Sequence, residues 1–479
     1  MSGLSYFSFV IVAFTIPKAS GLGLRRTPLA TIYATSFLRM EEGSDPGTPL
    51  FLTPLIRAGK ISEAQKASRM SYLGVESYSG YITTNDSCGN NLFFWYFPPM
   101  NRDHQAPLLL WLQGGPGGAS VFGLFVEHGP YFVDKSGNAH RRAITWTSKY
   151  GVVCVDNPVG TGFSFTKKDS CHAKNQHDVA RDLFNMLQQF FQLFPQLQRN
   201  SFYATGESYA GKYVPSIAYR IHQENRIRGQ NKVKIPLVGI MIGDGFTDPV
   251  ALTAGYADLL FQIGLLDENE KEEMEDRMAR AAQLEMMGRH LDAFHAFDEA
   301  LNGDLTPYPS FFTNCTGSTN YYNYLRSMPP EQQSYFGKFL ARPEVRKMIH
   351  VGNQSLHDGR VVEQHMLNDF MQSVTGWTEK LLEAGYRTLF YNGQLDVIVG
   401  LPLTERFLWS RLEWSGRALY RKAKKRVWKV RSDDREVAGY VRKAKNLYQV
   451  AVRNAGHILP FDQPRSAMDM IERFINDSF

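Results

Sequence analysis

Residues 201–215 read SFYATGESYAGKYVP, and this stretch decides the fold. A short apolar run, Ser201–Thr205, feeds a tight turn through Gly206, Glu207 and Ser208. A helical stretch, Tyr209–Asn225, leaves it. A serine held between a strand and a helix is the setting of a nucleophile elbow, whose turn lifts the hydroxyl clear of the sheet edge. In this reading Gly206 supplies the sharp turn, and the small Ala210 lets the helix pack under it.

Working outward, similar short apolar runs recur. They are Pro107–Leu112 (PLLLWL), Tyr150–Val155 (YGVVCV), Leu237–Ile242 (LVGIMI), Thr388–Tyr391 (TLFY) and Tyr448–Val452. Runs without polar alternation suit strands buried on both faces of a parallel sheet. Tyr78–Thr84 and Leu92–Phe97 read as an antiparallel hairpin across an Asn/Asp/Gly turn. Between strands, Asp178–Phe194 repeats its apolar residues at helical spacing. Alternating strand and helix predicts an α/β fold with a mostly parallel, doubly wound sheet. The alternation lapses over 250–375, where the charged, Met/Ala-rich Glu268–Leu301 predicts a helical cap insertion. The expected layout is therefore a core over 66–249 and 376–479, interrupted by the cap.

The 479 residues carry a net charge of +6, with 43% hydrophobic and 21% charged residues. That balance excludes a polycation or an acidic tail as the theme and provides for a large core. Leu4–Ile16 is apolar but shorter than the ~20 residues of a membrane span. Ala19-Ser20-Gly21 follows, so 1–21 reads as a secretory signal peptide. Residues 22–65 have no sustained period and read as a processed or loosely attached N-terminal segment. Sequons at Asn85, Asn314, Asn353 and Asn476 agree with a secretory route, and the first three are expected glycosylation sites. Of the four cysteines, Cys154 reads as a buried free thiol on a strand. A bridge among Cys88, Cys171 and Cys315 is compatible with an oxidising compartment. The basic run from Arg417 through Lys422, Lys424, Lys425 and Arg426 to Arg431 reads as a solvated helix face, not a nucleic-acid patch.

A serine hydroxyl needs a base and an orienting acid. Asp396, in Asn392-Gly393-Gln394-Leu395-Asp396, follows the TLFY strand. His457, in Ala455-Gly456-His457-Ile458, follows Tyr448–Val452. Each lies after a strand, in the chain order Ser, Asp, His of the nucleophile-elbow folds. The glycine-rich Gln113-Gly114-Gly115-Pro116-Gly117-Gly118 follows PLLLWL. It exposes backbone N–H groups of the kind that hold an oxyanion, with the N–H after the nucleophile as partner. It matches no phosphate-loop or dinucleotide pattern.

These motifs together resemble the serine carboxypeptidase family of the cathepsin A and carboxypeptidase Y type, with its vitellogenic carboxypeptidase-like branch as the nearest likeness. The resemblance rests on WLQGGPGGAS (111–120), DNPVGTGFSF (156–165), TGESYAGKYVP (205–215), YNGQLD (391–396) and GHILPFDQP (456–464). It implies an α/β-hydrolase fold and a Ser208–Asp396–His457 triad. It also implies an oxyanion hole from the Gly115 and Tyr209 N–H groups. Gln113, Gly114 and Glu207 would grip a substrate's C-terminal carboxylate, with Glu127 hydrogen-bonded to Glu207. Such a pair must share a proton, so peptide binding is expected to weaken above about pH 5–6. Ile458 would line the pocket for the terminal residue and favour an apolar one.

The chain departs from the commonest family pattern in having Gln113 for Asn, which lengthens the clamp arm. It also has Gly118-Ala119 for Cys-Ser, which removes a family disulfide. The resemblance implies no cofactor or metal, no nucleic acid and no membrane span. It implies peptide or protein substrates with a free C-terminus, a monomer or homodimer, and a secreted, lysosomal or endosomal location. The competing readings are an acyltransferase of the same fold and a non-catalytic protective or binding protein.

Overall fold

The apolar runs do become strands. A computed structural model describes residues 45–227 and 232–479. Eleven strands form one sheet: β1 (Arg69–Tyr72), β2 (Val75–Asn85), β3 (Asn90–Phe97), β4 (Leu108–Leu112), β5 (Gly151–Val155), β6 (Phe202–Glu207), β7 (Leu237–Gly243), β8 (Arg387–Gly393), β9 (Arg426–Trp428), β10 (Gly439–Ala444) and β11 (Leu447–Val452). Their order is β1-β2-β3-β5-β4-β6-β7-β8-β11-β10-β9. The six central strands, β5 to β11 in that order, run parallel, and both flanks are antiparallel. Parallel neighbours need crossovers, and helices supply them.

Strand β4 shows why the centre reads as unbroken apolar sequence. Leu108, Leu110 and Leu112 enter the core on one face, while Leu109 and Trp111 enter the core on the other. The first face carries the helices Gln176–Leu193 and Ala210–Glu224. The second carries Pro464–Ile475, with Met470, Ile471 and Phe474 buried. The span between β7 and β8 contributes no strand to the central sheet. It holds the helices Glu268–Met286, His290–Phe297 and Arg360–Phe370.

Two expectations change. The 22–65 segment is not loosely attached over its described part: Leu52, Ile56 and Ala64 are buried in the core. The 50–52 stretch also pairs with β2, Leu52 N–H donating to Tyr81 O and Tyr81 N–H to Leu50 O, each at 2.9 Å. Its helices, Thr53–Arg57 and Ile61–Ser68, are too short to display a clear helical period. The basic run is not one helix face. Arg417–Lys422 is a short helix, whereas Arg426–Trp428 is the edge strand β9, with Val427 exposed. An edge strand tolerates such charge because it discourages pairing with another chain. The cysteine reading holds: Cys88 bonds to Cys171, Cys154 is a buried free thiol, and Cys315 is a half-buried one. The signal-peptide reading and residues 22–44 lie outside the described residues.

Candidate active site

The carboxyl ends of β4, β6, β7, β8 and β11 converge on Ser208. Its φ of +62° is left-handed, a strained conformation for a residue with a side chain. Backbone hydrogen bonds hold it there: Ser208 N–H donates to Gly243 O at 2.9 Å, and Phe246 N–H donates to Ser208 O at 2.9 Å. The positive φ thus belongs to Ser208 itself. Gly206 serves close approach instead: a Cβ there would lie 2.4 Å from Leu112 O and 2.7 Å from the Ala210 Cβ.

The glycine loop lies directly against this turn. A Cβ on Gly114 would fall 2.5 Å from Ser208 Cβ and 2.7 Å from Tyr209 N. Ser120 closes the loop, accepting from Gln113 N–H at 3.1 Å and donating to Val155 O at 2.6 Å. Asp156, from the 156–165 motif, accepts from Phe163 N–H at 2.9 Å and from Val121 N–H at 3.4 Å. It thereby ties the end of the glycine loop to the next one. Burial pushes the Asp156 carboxyl up to about 7. Among the described residues, neither the Gly115 nor the Tyr209 N–H donates to a backbone carbonyl.

His457 and Asp396 are both fully buried, with Nδ1 to Oδ2 at 2.8 Å. An acceptor carboxylate fixes the tautomer with its proton on Nδ1, so Nε2 carries the lone pair. Nε2 is buried and has no hydrogen-bond partner among the described residues. The loops that carry the pair lock together through Leu395 N–H to Ala455 O at 2.8 Å. The Tyr322 ring packs against the imidazole, with centroids 5.3 Å apart.

On the other flank, Gln113 bridges Trp111 and Glu207. Its Oε1 accepts from Trp111 Nε1 at 2.8 Å and its Nε2 donates to Glu207 Oε1 at 2.6 Å. Glu127 and Glu207 are both wholly buried and stand close enough to share a hydrogen bond. Two carboxylates can make that bond only through a proton. Burial, above all, raises Glu127 to about 7, and burial and then the charge of Glu127 hold Glu207 well above the ordinary range. Arg142 faces Glu127 and lowers it by a smaller amount, while its guanidinium donates to the carbonyls of Phe125, Gly129 and Tyr131.

The structure therefore gathers Ser208, Asp396, His457, Gly114, Gly115, Tyr209, Gln113, Glu207 and Glu127 at one sheet edge. Ile458 follows His457 and is buried in the second core. The sequons sit apart, with Asn314, Asn353 and Asn476 exposed and Asn85 half-buried.

Two neighbours escaped the sequence reading. Asp244, at the end of β7, has φ +42° and accepts from Gly393 N–H at 3.0 Å. Its carboxyl stands beside that of Asp396, and burial first, then the Asp396 charge, hold it well above its usual value. An acid just past a strand whose neighbours end in Ser208 and Asp396 was the available signal. The second neighbour is Asp369. It accepts from Tyr209 Oη at 2.8 Å and Gln176 Nε2 at 2.7 Å, and it pairs with the buried Lys212 at 2.8 Å. It fixes the side chain of the residue whose N–H faces the glycine loop.

Comparison with known proteins shows which family the chain resembles. Residues 68–477 match the family model for serine carboxypeptidase. A human probable serine carboxypeptidase CPVL is 50% identical over 439 residues, covering 91% of each chain. The vitellogenic carboxypeptidase of Aedes aegypti is 39% identical over 484 residues, covering 99% of this chain and all (100%) of that one. Among solved structures, a prohormone-processing carboxypeptidase of Saccharomyces cerevisiae, Kex1, superposes with a TM-score of 0.75 at 24% identity. It covers 86% of this chain and 96% of that one, a likeness of fold. With a family match over residues 68–477 and a relative 50% identical over 91% of both chains, the chain belongs to the serine carboxypeptidase family, built on an α/β-hydrolase fold.

Proposed function

We propose that Ser208, His457 and Asp396 cut the last peptide bond of substrates with a free C-terminus, and that the enzyme works best in acid. Ser208 Oγ attacks the carbonyl carbon while His457 Nε2 takes its proton. Asp396 holds the imidazole and balances the imidazolium. The N–H groups of Gly115 and Tyr209 receive the oxyanion. The proton on Nε2 passes to the leaving amine, the terminal amino acid departs, and water repeats the sequence on the acyl-enzyme.

One observation carries the choice of a carboxypeptidase over a general esterase: the buried Glu127–Glu207 pair held by Gln113 beside the nucleophile. A carboxylate cannot be gripped by another carboxylate, but it can accept from a protonated one. With both protonated, Glu127 donates to Glu207 and Glu207 donates to the substrate. Once Glu127 ionises, near 7, Glu207 turns its proton to Glu127 and the substrate loses its donor. This moves the expected weakening upward from pH 5–6, because burial dominates. Ile458 supports a preference for apolar terminal residues. The exposed sequons, the disulfide and the apolar N-terminal run support passage through the secretory pathway to an acidic organelle or the exterior.

The test pairs one peptide with its C-terminal amide at pH 5, then follows KM upward. Release of the last residue from the acid alone is expected. KM should rise about tenfold between pH 5 and 8, one pH unit past a group titrating near 7. Equal cleavage of acid and amide, or a flat KM, rejects the reading.

A further inference from the structure

Away from Ser208, a second cluster of side chains has the makings of a ligand set. Asp169 and His172 lie at and just beyond the short turn Asp169–Cys171, which the Cys88–Cys171 disulfide anchors. His365 comes from the helix Arg360–Phe370, far off in sequence. One ligand atom from each of Asp169, His172 and His365 lies within 4.8 Å of the other two. His365 Nε2 stands 3.2 Å from Asp169 Oδ1. Ligand bonds of about 2.0–2.2 Å at a tetrahedral angle put neighbouring donor atoms roughly 3.4 Å apart. The Asp169–His365 edge already has that length.

The second shell is also in place. His172 Nδ1 lies 3.2 Å from the carbonyl oxygen of Val159. A carbonyl only accepts, so Nδ1 carries the hydrogen and Nε2 presents its lone pair, the arrangement that orients metal-bound imidazoles. The two rings are stacked, 4.8 Å apart between centroids and 13° from parallel, so one imidazole must turn about its χ2 for both lone pairs to meet on a single ion. Solvent reaches the cluster: the Asp169 side chain is 80% exposed and that of His365 23%. His357 stands nearby as a further imidazole.

We propose that Asp169, His172 and His365 form a binding site for a first-row divalent cation of the zinc type, with water completing the coordination. Two imidazoles and one carboxylate suit that class over magnesium or calcium, which take oxygen ligands. The ion would join two segments that are otherwise held by short contacts. His357 and Asp358 pair with Thr161–Gly162 in a two-residue ribbon. Gly359, which precedes the helix, packs against the glycine loop so closely that a Cβ on Gly117 would sit 2.6 Å from Gly359 O. A cation here fastens the middle of that helix, at His365, to the disulfide-anchored turn. It is separate from the triad and takes no part in the acyl-enzyme chemistry.

The test is calorimetric titration of the purified protein with zinc chloride at neutral pH, repeated on His172→Gln, His365→Gln and Asp169→Asn. One-to-one binding is expected, weakened at least tenfold in each histidine variant and less in Asp169→Asn. Zinc should raise the Tm of the parent, because it binds the folded form, and leave the Tm of His172→Gln/His365→Gln unmoved. Peptidase activity without zinc serves as the folding control and should match the parent in all three. Absence of saturable binding overturns the proposal. So does binding that survives both histidine changes, since the ion would then sit elsewhere, with Asp244, Asp396 and His457 the alternative that loss of peptidase activity would reveal.

Discussion

Glu127 with Glu207, and Asp244 with Asp396, are two carboxyl pairs sealed from water on either side of Ser208. Burial raises the first-named partner in each, by the same desolvation of the charged form. Their surroundings set them different tasks. The Asp pair faces His457, whose Nδ1–H donates to Asp396 Oδ2. That leaves Asp396 Oδ1 and Asp244 Oδ2 as the atoms without another partner. A proton on Asp244 joins those two atoms, and the negative charge of the pair rests on the imidazole side. The Glu pair faces an amide, Gln113, and the cation beside it, Arg142, is spent largely on backbone carbonyls. That pair is built to stay neutral and give a proton's hydrogen bond to an anion. Identical groups become a charge holder or an uncharged donor according to what stands opposite.

The sharpest way to break the comparison is Asp396→Asn. If the Asp pair exists to set a charge beside His457, the amide removes the charge and favours the wrong tautomer. The expected loss is about 10⁴ in kcat, with KM for the peptide nearly unchanged because the Glu pair is untouched. Steady-state kinetics check this, and a loss below tenfold would show that the charge is unnecessary.

A smaller effect tests the proton within the pair. Asp244→Asn keeps an acceptor for Gly393 N–H and offers a permanent N–H to Asp396 Oδ1. Asp244→Ala abandons both groups in a buried site, at a cost of about 1–3 kcal/mol for each unsatisfied group. The alanine variant should lose roughly 10–100-fold in kcat/KM and the asparagine variant only a few-fold. An asparagine variant as poor as the alanine one would mean that Asp244 acts by its charge.

Much of this was legible in the chain because of how the groups are supported. The central strands are buried on both faces, so their sequence is an uninterrupted apolar run that no helix or loop imitates. Ser208, Asp396 and His457 each end such a strand, in a recognisable order. The Glu pair was readable only through family resemblance, since nothing local marks Glu127 as buried. Asp244 was hidden for a different reason. Its Gly243-Asp244-Gly245 setting has the composition of an ordinary turn, and its importance comes from a register that places β7 between β6 and β8. Cys88–Cys171 and the Asp169–His172–His365 cluster depend likewise on contacts across long stretches of chain. The 50–65 segment was misread because its burial comes from single residues, such as Leu52, meeting β2, with no repeat to announce it.

The smallest expected effect joins the pairs through stability. A carboxyl raised by folding keeps a proton that the unfolded chain releases above roughly 4.3. Between there and the folded value, the native state binds more protons than the unfolded one, so stability falls as pH rises through that window. Glu127 sets the window at about 4.3 to 7; Asp156, also raised to about 7, and Glu363, raised to about 8, act with the same sign. The Tm should therefore fall by several degrees, on the order of 5 °C, between pH 5 and 7.5. Glu127→Gln is neutral throughout and keeps an amide donor toward Glu207, so its Tm should fall less steeply, while Asp156 and Glu363 preserve the remainder of the slope. Differential scanning calorimetry of both proteins across that range measures the difference. A Tm that rises with pH, or an unchanged slope in Glu127→Gln, would mean that the Glu pair is not the neutral member of the two.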